Sequence, residues 1–173
     1  MSKFNKLEQV VDFLSSHSIK AVIFDVDGVL TDGSINVGVD GREVFKRFDV
    51  KDGYGIISLK KAGFILGIIS GRNSTIVENR AKELGIDFVY QGHIDKQASF
   101  EDFMQRSLVK SLEVAYIGDD YPDYPLMKQV GFAVTPADGH FCLEEVCHWR
   151  LTQKGGRGAV RELADLLIQT QSR

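Results

Sequence analysis

Five short apolar runs, rich in β-branched residues and separated by stretches of helical spacing, set the strongest limit on how this chain can fold. They are IKAVIFD (19–25), GFILGIIS (63–70), IDFVYQ (86–91), LEVAYIG (112–118) and GFAVT (131–135). Helical patterns lie at 52–62, 74–85, 95–109, 122–129 and 157–170, the last with Val160, Leu163, Leu166 and Leu167 on one stripe. Runs that are apolar throughout are strands buried on both faces, and strand–helix repetition joins such strands in parallel. The pattern predicts an α/β, doubly wound (Rossmann-like) parallel sheet with helices on both faces. One segment, SINVGVDGREVFKRFDV (34–50), breaks the alternation with two short runs around an Asp-Gly turn. It predicts a β-hairpin over 34–48, inserted after the first strand. Leu7, Val10, Val11 and Leu14 predict an amphipathic helix within residues 1–18.

Composition narrows the partners. The 173 residues have room for one domain, 1–173, with a core of its own. A net charge of −3 and no Lys/Arg run longer than two exclude the electrostatic footprint of a nucleic-acid binder. No apolar stretch approaches the ~20 residues of a membrane span, and the N-terminal segment has no continuous apolar core for a secretory signal. Cys142 and Cys147 stand five apart without a CxxC pair, which argues against zinc and against a disulfide framework. A reducing, cytoplasmic setting is expected.

In doubly wound sheets, ligands bind beyond the carboxyl ends of the strands. There the sequence places Asp25-Val26-Asp27-Gly28 after the first run, Ser70-Gly71-Arg72 after the second, Lys96 after the third, and Gly118-Asp119-Asp120-Tyr121-Pro122-Asp123 after the fourth. Each piece alone has a plain reading as a turn, a helix cap or a solvated charge. Together they form two carboxylate clusters that would repel, a conflict that a divalent cation removes, and all-oxygen ligands favour Mg²⁺. A hydroxyl and a lysine beside them suit a phosphate. His17, His93, His140 and His148 show no metal-ligand spacing, with His93 nearest the site. Asn73-Ser74-Thr75 reads as a cap for the helix of 74–85, and Phe141 and Trp149 as core or interface.

DVDGVLTDG, the SGR triplet, the isolated Lys96 and GDDxxD resemble the four motifs of the haloacid dehalogenase (HAD) superfamily of phosphotransferases. The likeness covers nearly the whole chain. VKDGYGI (50–56), YQGHIDK (90–96), AYIGDDYPD (115–123) and KGGRGAVREL (154–163) resemble, more narrowly, the 3-deoxy-D-manno-octulosonate 8-phosphate (KDO 8-phosphate) phosphatase family of lipopolysaccharide biosynthesis. The resemblance implies Asp25 as nucleophile, forming an aspartyl-phosphate, and Asp27 as general acid and later base. It implies Mg²⁺ held by the Asp25 and Asp119 carboxylates and the Asp27 carbonyl. Ser70, Gly71 and Lys96 would bind the phosphate, and Asp123 would steer Lys96 or a metal-bound water. Asp27, Arg72 and Arg157 would meet the rest of a small sugar-acid phosphate, the two arginines pairing with its carboxylate. A sister group acting on nine-carbon, sialic-acid-type phosphates tends to carry acidic and lysine residues where Arg72-Asn73 stands here. A signalling receiver domain also uses Asp, Mg²⁺, Ser/Thr and Lys, but its acceptor follows the third strand, where this chain has Tyr90-Gln91-Gly92.

The gaps from Asp27 to Ser70 and from Ser70 to Lys96 are too short to hold the cap domain that shields larger relatives. The hairpin cannot stand alone, and its apolar residues Val37, Val44, Phe45 and Phe48 need a partner. A ring-like homotetramer is expected, as the resemblance also implies, with neighbouring hairpins packed together. The glycine-rich loop and last helix (154–173) would help to close a site.

Overall fold

The computed structural model describes residues 3–171. A six-stranded sheet contains β1 (Ala21–Phe24), β4 (Ile65–Ser70), β5 (Phe88–Gln91), β6 (Val114–Ile117), β7 (Phe132–Thr135) and β8 (Trp149–Arg150). Its order is β5-β4-β1-β6-β7-β8 and every pair is parallel. The sixth strand, within the strand-like run HWRL, adds an edge to the five expected ones. Two strands, β2 (Asn36–Val37) and β3 (Glu43–Phe45), form the separate antiparallel hairpin, shorter than the span of 34–48 expected for it.

Side-chain alternation in β1 explains why the sheet is covered on both faces. Val22 and Phe24 enter a core with α1 (Leu7–Ser16), α2 (Val50–Lys61), α3 (Thr75–Leu84) and α6 (Ala159–Gln171). Ala21 and Ile23 enter a second core with Phe100 and Phe103 of α4 (Gln97–Ser107) and Leu126 and Met127 of α5 (Tyr124–Met127). The helix expected over 122–129 is a 3₁₀ turn, Tyr121–Asp123, followed by the four residues of α5. Prolines at both starts, Pro122 and Pro125, suit short first turns. Gly85 ends α3 in the left-handed region (φ 71°), the conformation that glycine adopts without steric cost.

The chain leaves β1 toward β4 and β5, then crosses to β6 on the other side, so the order reverses between β1 and β6. Register aligns the ends of these strands: Phe24 lies opposite Ile68 and Ile117, and the Asp25 N–H donates to the Ile117 carbonyl at 3.0 Å. The glycine-rich loop packs under the loop after β1. The Gly156 N–H donates to the Val29 carbonyl at 2.8 Å, and a Cβ at Gly155 would collide with the Gly28 carbonyl. Buried Asp52 of α2 holds this arrangement, accepting from the Gly158 N–H at 3.1 Å and the Arg161 N–H at 2.8 Å, where α6 has free donors.

Candidate active site

At the carboxyl edge where the strand order reverses, a cleft of about 410 Å³ is lined by Asp25, Asp27, Ser70, Arg72, Lys96 and Asp119, among others. Gly71, Asp120 and Asp123 also border it. The expected site residues thus come together, with one exception. Arg157 lies outside the cleft, its guanidinium 3.3 Å from the Asp32 carboxylate, which also pairs with Arg47. Within this chain, the glycine-rich loop supports the loop after β1 from behind.

Lys96, at the N-terminal boundary of α4, is 3% exposed. Its Nζ stands 2.9 Å from Asp25 Oδ1 and donates to Asp123 Oδ1 at 2.6 Å. Burial alone would lower its pKa, and the two carboxylates more than offset that. Asp123 is 1% exposed and is saturated by donors. Oδ1 takes Lys96 and the Tyr116 hydroxyl (2.6 Å), and Oδ2 takes the N–H groups of Asp119 (3.0 Å) and Asp120 (3.3 Å). Four donors occupy its four lone-pair positions. Although Asp25, Asp119 and Asp123 bring carboxylate oxygens within 4.8 Å of one another, Asp123 is thereby spent on fixing the loop and Lys96.

That leaves Asp25 and Asp119 facing each other. Burial, then the charge of Asp123, pushes Asp25 up to about 6 despite Lys96. Burial, then the charges of Asp25 and Asp123, pushes Asp119 up to about 8. Even with Lys96 beside Asp25, two carboxyls this close do not both ionise at neutral pH unless a further cation joins them. The donor set of carboxylate oxygens therefore fits a hard divalent ion such as Mg²⁺. The positive φ of Gly28 (88°) and the collision that a Cβ there would make with Asp119 let the loop after β1 approach this pair.

Ser70 ends β4 buried, its Oγ accepting from the Arg72 N–H at 3.4 Å. Arg72 Nε lies 3.7 Å from Asp27 Oδ2 across the cleft mouth. Ser74 occupies the N-cap position of α3 as expected, but its hydroxyl donates to Glu43 Oε2 at 2.6 Å instead of capping the helix. His93 is exposed on the loop before Lys96, and Phe141 is exposed. Asp120, His140 and Cys142, which lack metal-ligand spacing in sequence, bring donor atoms within 4.8 Å of one another near the surface. There His140 Nδ1 accepts from the Cys142 N–H, capping a 3₁₀ turn.

Tyr116 and Lys46 escaped sequence reasoning. Tyr116 lies inside an apolar strand run, which gives no sign that its hydroxyl reaches the site. Lys46 lies in the hairpin, and Phe48, expected on the hairpin's free apolar face, instead packs against the main core. Alternation was the available signal: Lys46 and Phe48 are two apart and face inward together, while Phe45 is 56% exposed. The Lys46 ammonium pairs with Asp27 Oδ1.

The reversed-order parallel sheet carries paired carboxylates, a serine and a buried lysine at its carboxyl edge, the arrangement expected of a HAD-like hydrolase. Residues 50–131 match the haloacid dehalogenase-like hydrolase family. The 3-deoxy-D-manno-octulosonate 8-phosphate phosphatase KdsC of Yersinia pestis is 44% identical over 90% of this chain and 83% of its own length. A crystal structure of that phosphatase from the same organism superimposes with a TM-score of 0.90 at 42% identity, covering 95% of this chain and 88% of that one. The phosphatase of Moraxella catarrhalis, solved with magnesium, phosphate and KDO, gives a TM-score of 0.90 at 37% identity, covering 96% and 94%. The chain belongs to the KDO 8-phosphate phosphatase family.

Proposed function

We propose that this protein is a Mg²⁺-dependent phosphatase that hydrolyses KDO 8-phosphate to KDO and phosphate, a step of lipopolysaccharide synthesis, through an aspartyl-phosphate on Asp25. The observation that carries this reading is the buried Asp25–Lys96–Asp123 chain with Asp119 beside Asp25, lining a cleft that has room for a small phosphorylated acid. The whole of 1–173 acts as one hydrolase domain.

The Asp25 and Asp119 carboxylates and the Asp27 carbonyl would hold Mg²⁺. When bound, the ion neutralises the carboxylates and the phosphoryl oxygens that must approach them. Lys96 fixes Asp25 and offers a point charge to the phosphate. Ser70 and the Gly71 N–H donate to phosphoryl oxygens. The Asp25 carboxylate attacks phosphorus as the bond to the sugar oxygen breaks, and Asp27 gives that oxygen its proton. Deprotonated Asp27 then takes a proton from the water that attacks the aspartyl-phosphate, and phosphate leaves with Asp25 restored. Asp123 holds Lys96 in place. Arg72 meets the sugar carboxylate at the cleft mouth. Arg157 would serve that purpose only after leaving Asp32.

Val37, Val44 and Phe45 are each 56% exposed on the hairpin, which supports a homotetramer in which hairpins cover one another and screen the cleft. Among the described residues, no helix is long and apolar enough to cross a membrane. With reduced Cys142 and Cys147, we propose a cytoplasmic enzyme.

A substrate panel with Mg²⁺ tests the reading. KDO 8-phosphate should give the highest kcat/KM, ahead of nine-carbon sugar-acid phosphates and simple sugar phosphates. EDTA should abolish turnover. Preference for a nine-carbon substrate would move the chain to the sister specificity, and a long-lived phosphorylated protein without turnover would overturn the enzyme reading.

A further inference from the structure

Among the described residues, the reaction above leaves one buried cation without a task. The Lys46 side chain is 1% exposed, though it comes from a hairpin whose other residues are largely in solvent. Its Nζ donates to Asp27 Oδ1 and lies 2.9 Å from Glu43 Oε1. Glu43 Oε2 in turn accepts from the Ser74 hydroxyl at 2.6 Å, and the Ser74 N–H donates to Gln91 Oε1 at 3.0 Å. Asp27 is thus joined through the hairpin to the start of α3 and the end of β5. A buried ammonium is costly to keep unless its partners are held in place, and here Glu43 is anchored by the Ser74 hydroxyl. The other oxygen of Asp27, Oδ2, lies 3.7 Å from Arg72 Nε, and both residues line the cleft.

The two Asp27 oxygens are therefore inequivalent. The torsion that turns a carboxylate about its own axis is soft and broad. A proton donor must nevertheless bring one oxygen within about 2.6–3.2 Å of the leaving oxygen. We infer that Lys46 is a positioning residue for the proton transfer at Asp27: it ties down Oδ1 and so presents Oδ2, carrying the proton, to the oxygen that leaves phosphorus. Glu43 balances the lysine's charge and keeps it seated. The hairpin then supplies a part of the catalytic geometry as well as an apolar surface. This inference rests on the assignment of Asp27 as proton donor in the proposed phosphatase reaction.

The test compares two leaving groups. A sugar alkoxide needs its proton as the P–O bond breaks, whereas the nitrophenolate of p-nitrophenyl phosphate departs without one. For Lys46→Met, kcat/KM on KDO 8-phosphate should fall roughly 30-fold or more, a part of the roughly 10²–10⁴-fold that general-acid assistance contributes. On p-nitrophenyl phosphate it should fall less than about 5-fold, and Lys46→Arg should restore part of the difference. The ratio of the two losses is independent of the fraction of folded protein, so a partly unfolded variant still gives an answer. Equal losses on both substrates would reduce Lys46 to a latch that seats the hairpin and overturn the inference. No loss on either would overturn it as well. If the wild-type protein hydrolyses p-nitrophenyl phosphate and another alkyl phosphate but not KDO 8-phosphate, only the substrate assignment fails, and the alkyl phosphate takes its place in the same comparison.

Discussion

Replacing Lys96 with methionine removes the cation that balances the buried carboxylates, and the structure sets the size of the effect. Its Nζ lies 2.9 Å from Asp25 and 2.6 Å from Asp123. At an effective dielectric constant of 20, each contact contributes about 6 kcal/mol of gross attraction, much of which offsets desolvation of the three groups. Removing one partner of a buried pair typically costs about 3–5 kcal/mol, because the other charge stays behind unpaired. For a chain of this size, that corresponds to a melting temperature roughly 6–20 °C lower in EDTA. Proton uptake caps the loss, since Asp25, pushed up to about 6 despite Lys96, is neutralised once that cation is gone. Magnesium should then raise the melting temperature more in the variant than in the wild-type protein, because the ion no longer faces the lysine and replaces its charge. Turnover should still fall about 100-fold or more, since the phosphate loses a fixed cation. Thermal denaturation by circular dichroism, with EDTA and with saturating Mg²⁺, reads the first two effects, and phosphate release reads the third. A variant melting within about 2 °C of wild type in EDTA, or equal magnesium shifts for both proteins, would refute the charge-balance argument.

Asp25→Asn should abolish phosphate release while leaving the metal-free melting temperature equal or higher, because it withdraws one charge from a crowded set; full activity would refute the nucleophile assignment. Phe45→Glu places a charge in the exposed hairpin surface and should split the proposed tetramer in sedimentation velocity, whereas a wild-type protein that is monomeric and fully active would remove the case for hairpin cover. Stability should fall in acid through His148, whose Nδ1 accepts from the Ala133 N–H at 3.0 Å and whose pKa is held down at about 4, chiefly by burial. The unfolded ring binds its proton near 6.5, so this contribution is complete above about 6.5 and is lost as pH falls toward 4. The ceiling is about 3 kcal/mol, brought to roughly 1–2 kcal/mol by solvent around the half-buried ring. His148→Asn, which keeps an acceptor without a titration, should flatten that part of the melting curve against pH, and an unchanged slope would refute the assignment.

Much of the sheet and most of the cleft were legible from the chain itself. Strands buried on both faces must be apolar throughout, so each one announces where it ends, and polar residues at those ends can only be loops on one edge of a parallel sheet. Strand order therefore placed Asp25, Asp27, Ser70, Lys96 and Asp119 at one edge, the resemblance implied their roles, and one cleft brings them together. Local periodicity carries no record of which charges meet across distant segments. It could not show that Asp123 is filled by four donors, that Tyr116 supplies one of them, that Arg157 turns to Asp32, or that Lys46 leaves the hairpin for Asp27. The last two pairings depend on how the glycine-rich loop and the hairpin fold back onto the first strand's loop. The sequence by itself determined the layers and the chemistry available at one edge. Only the tertiary structure decided how the charges are shared, because each buried ion takes whichever partner the packing brings within reach.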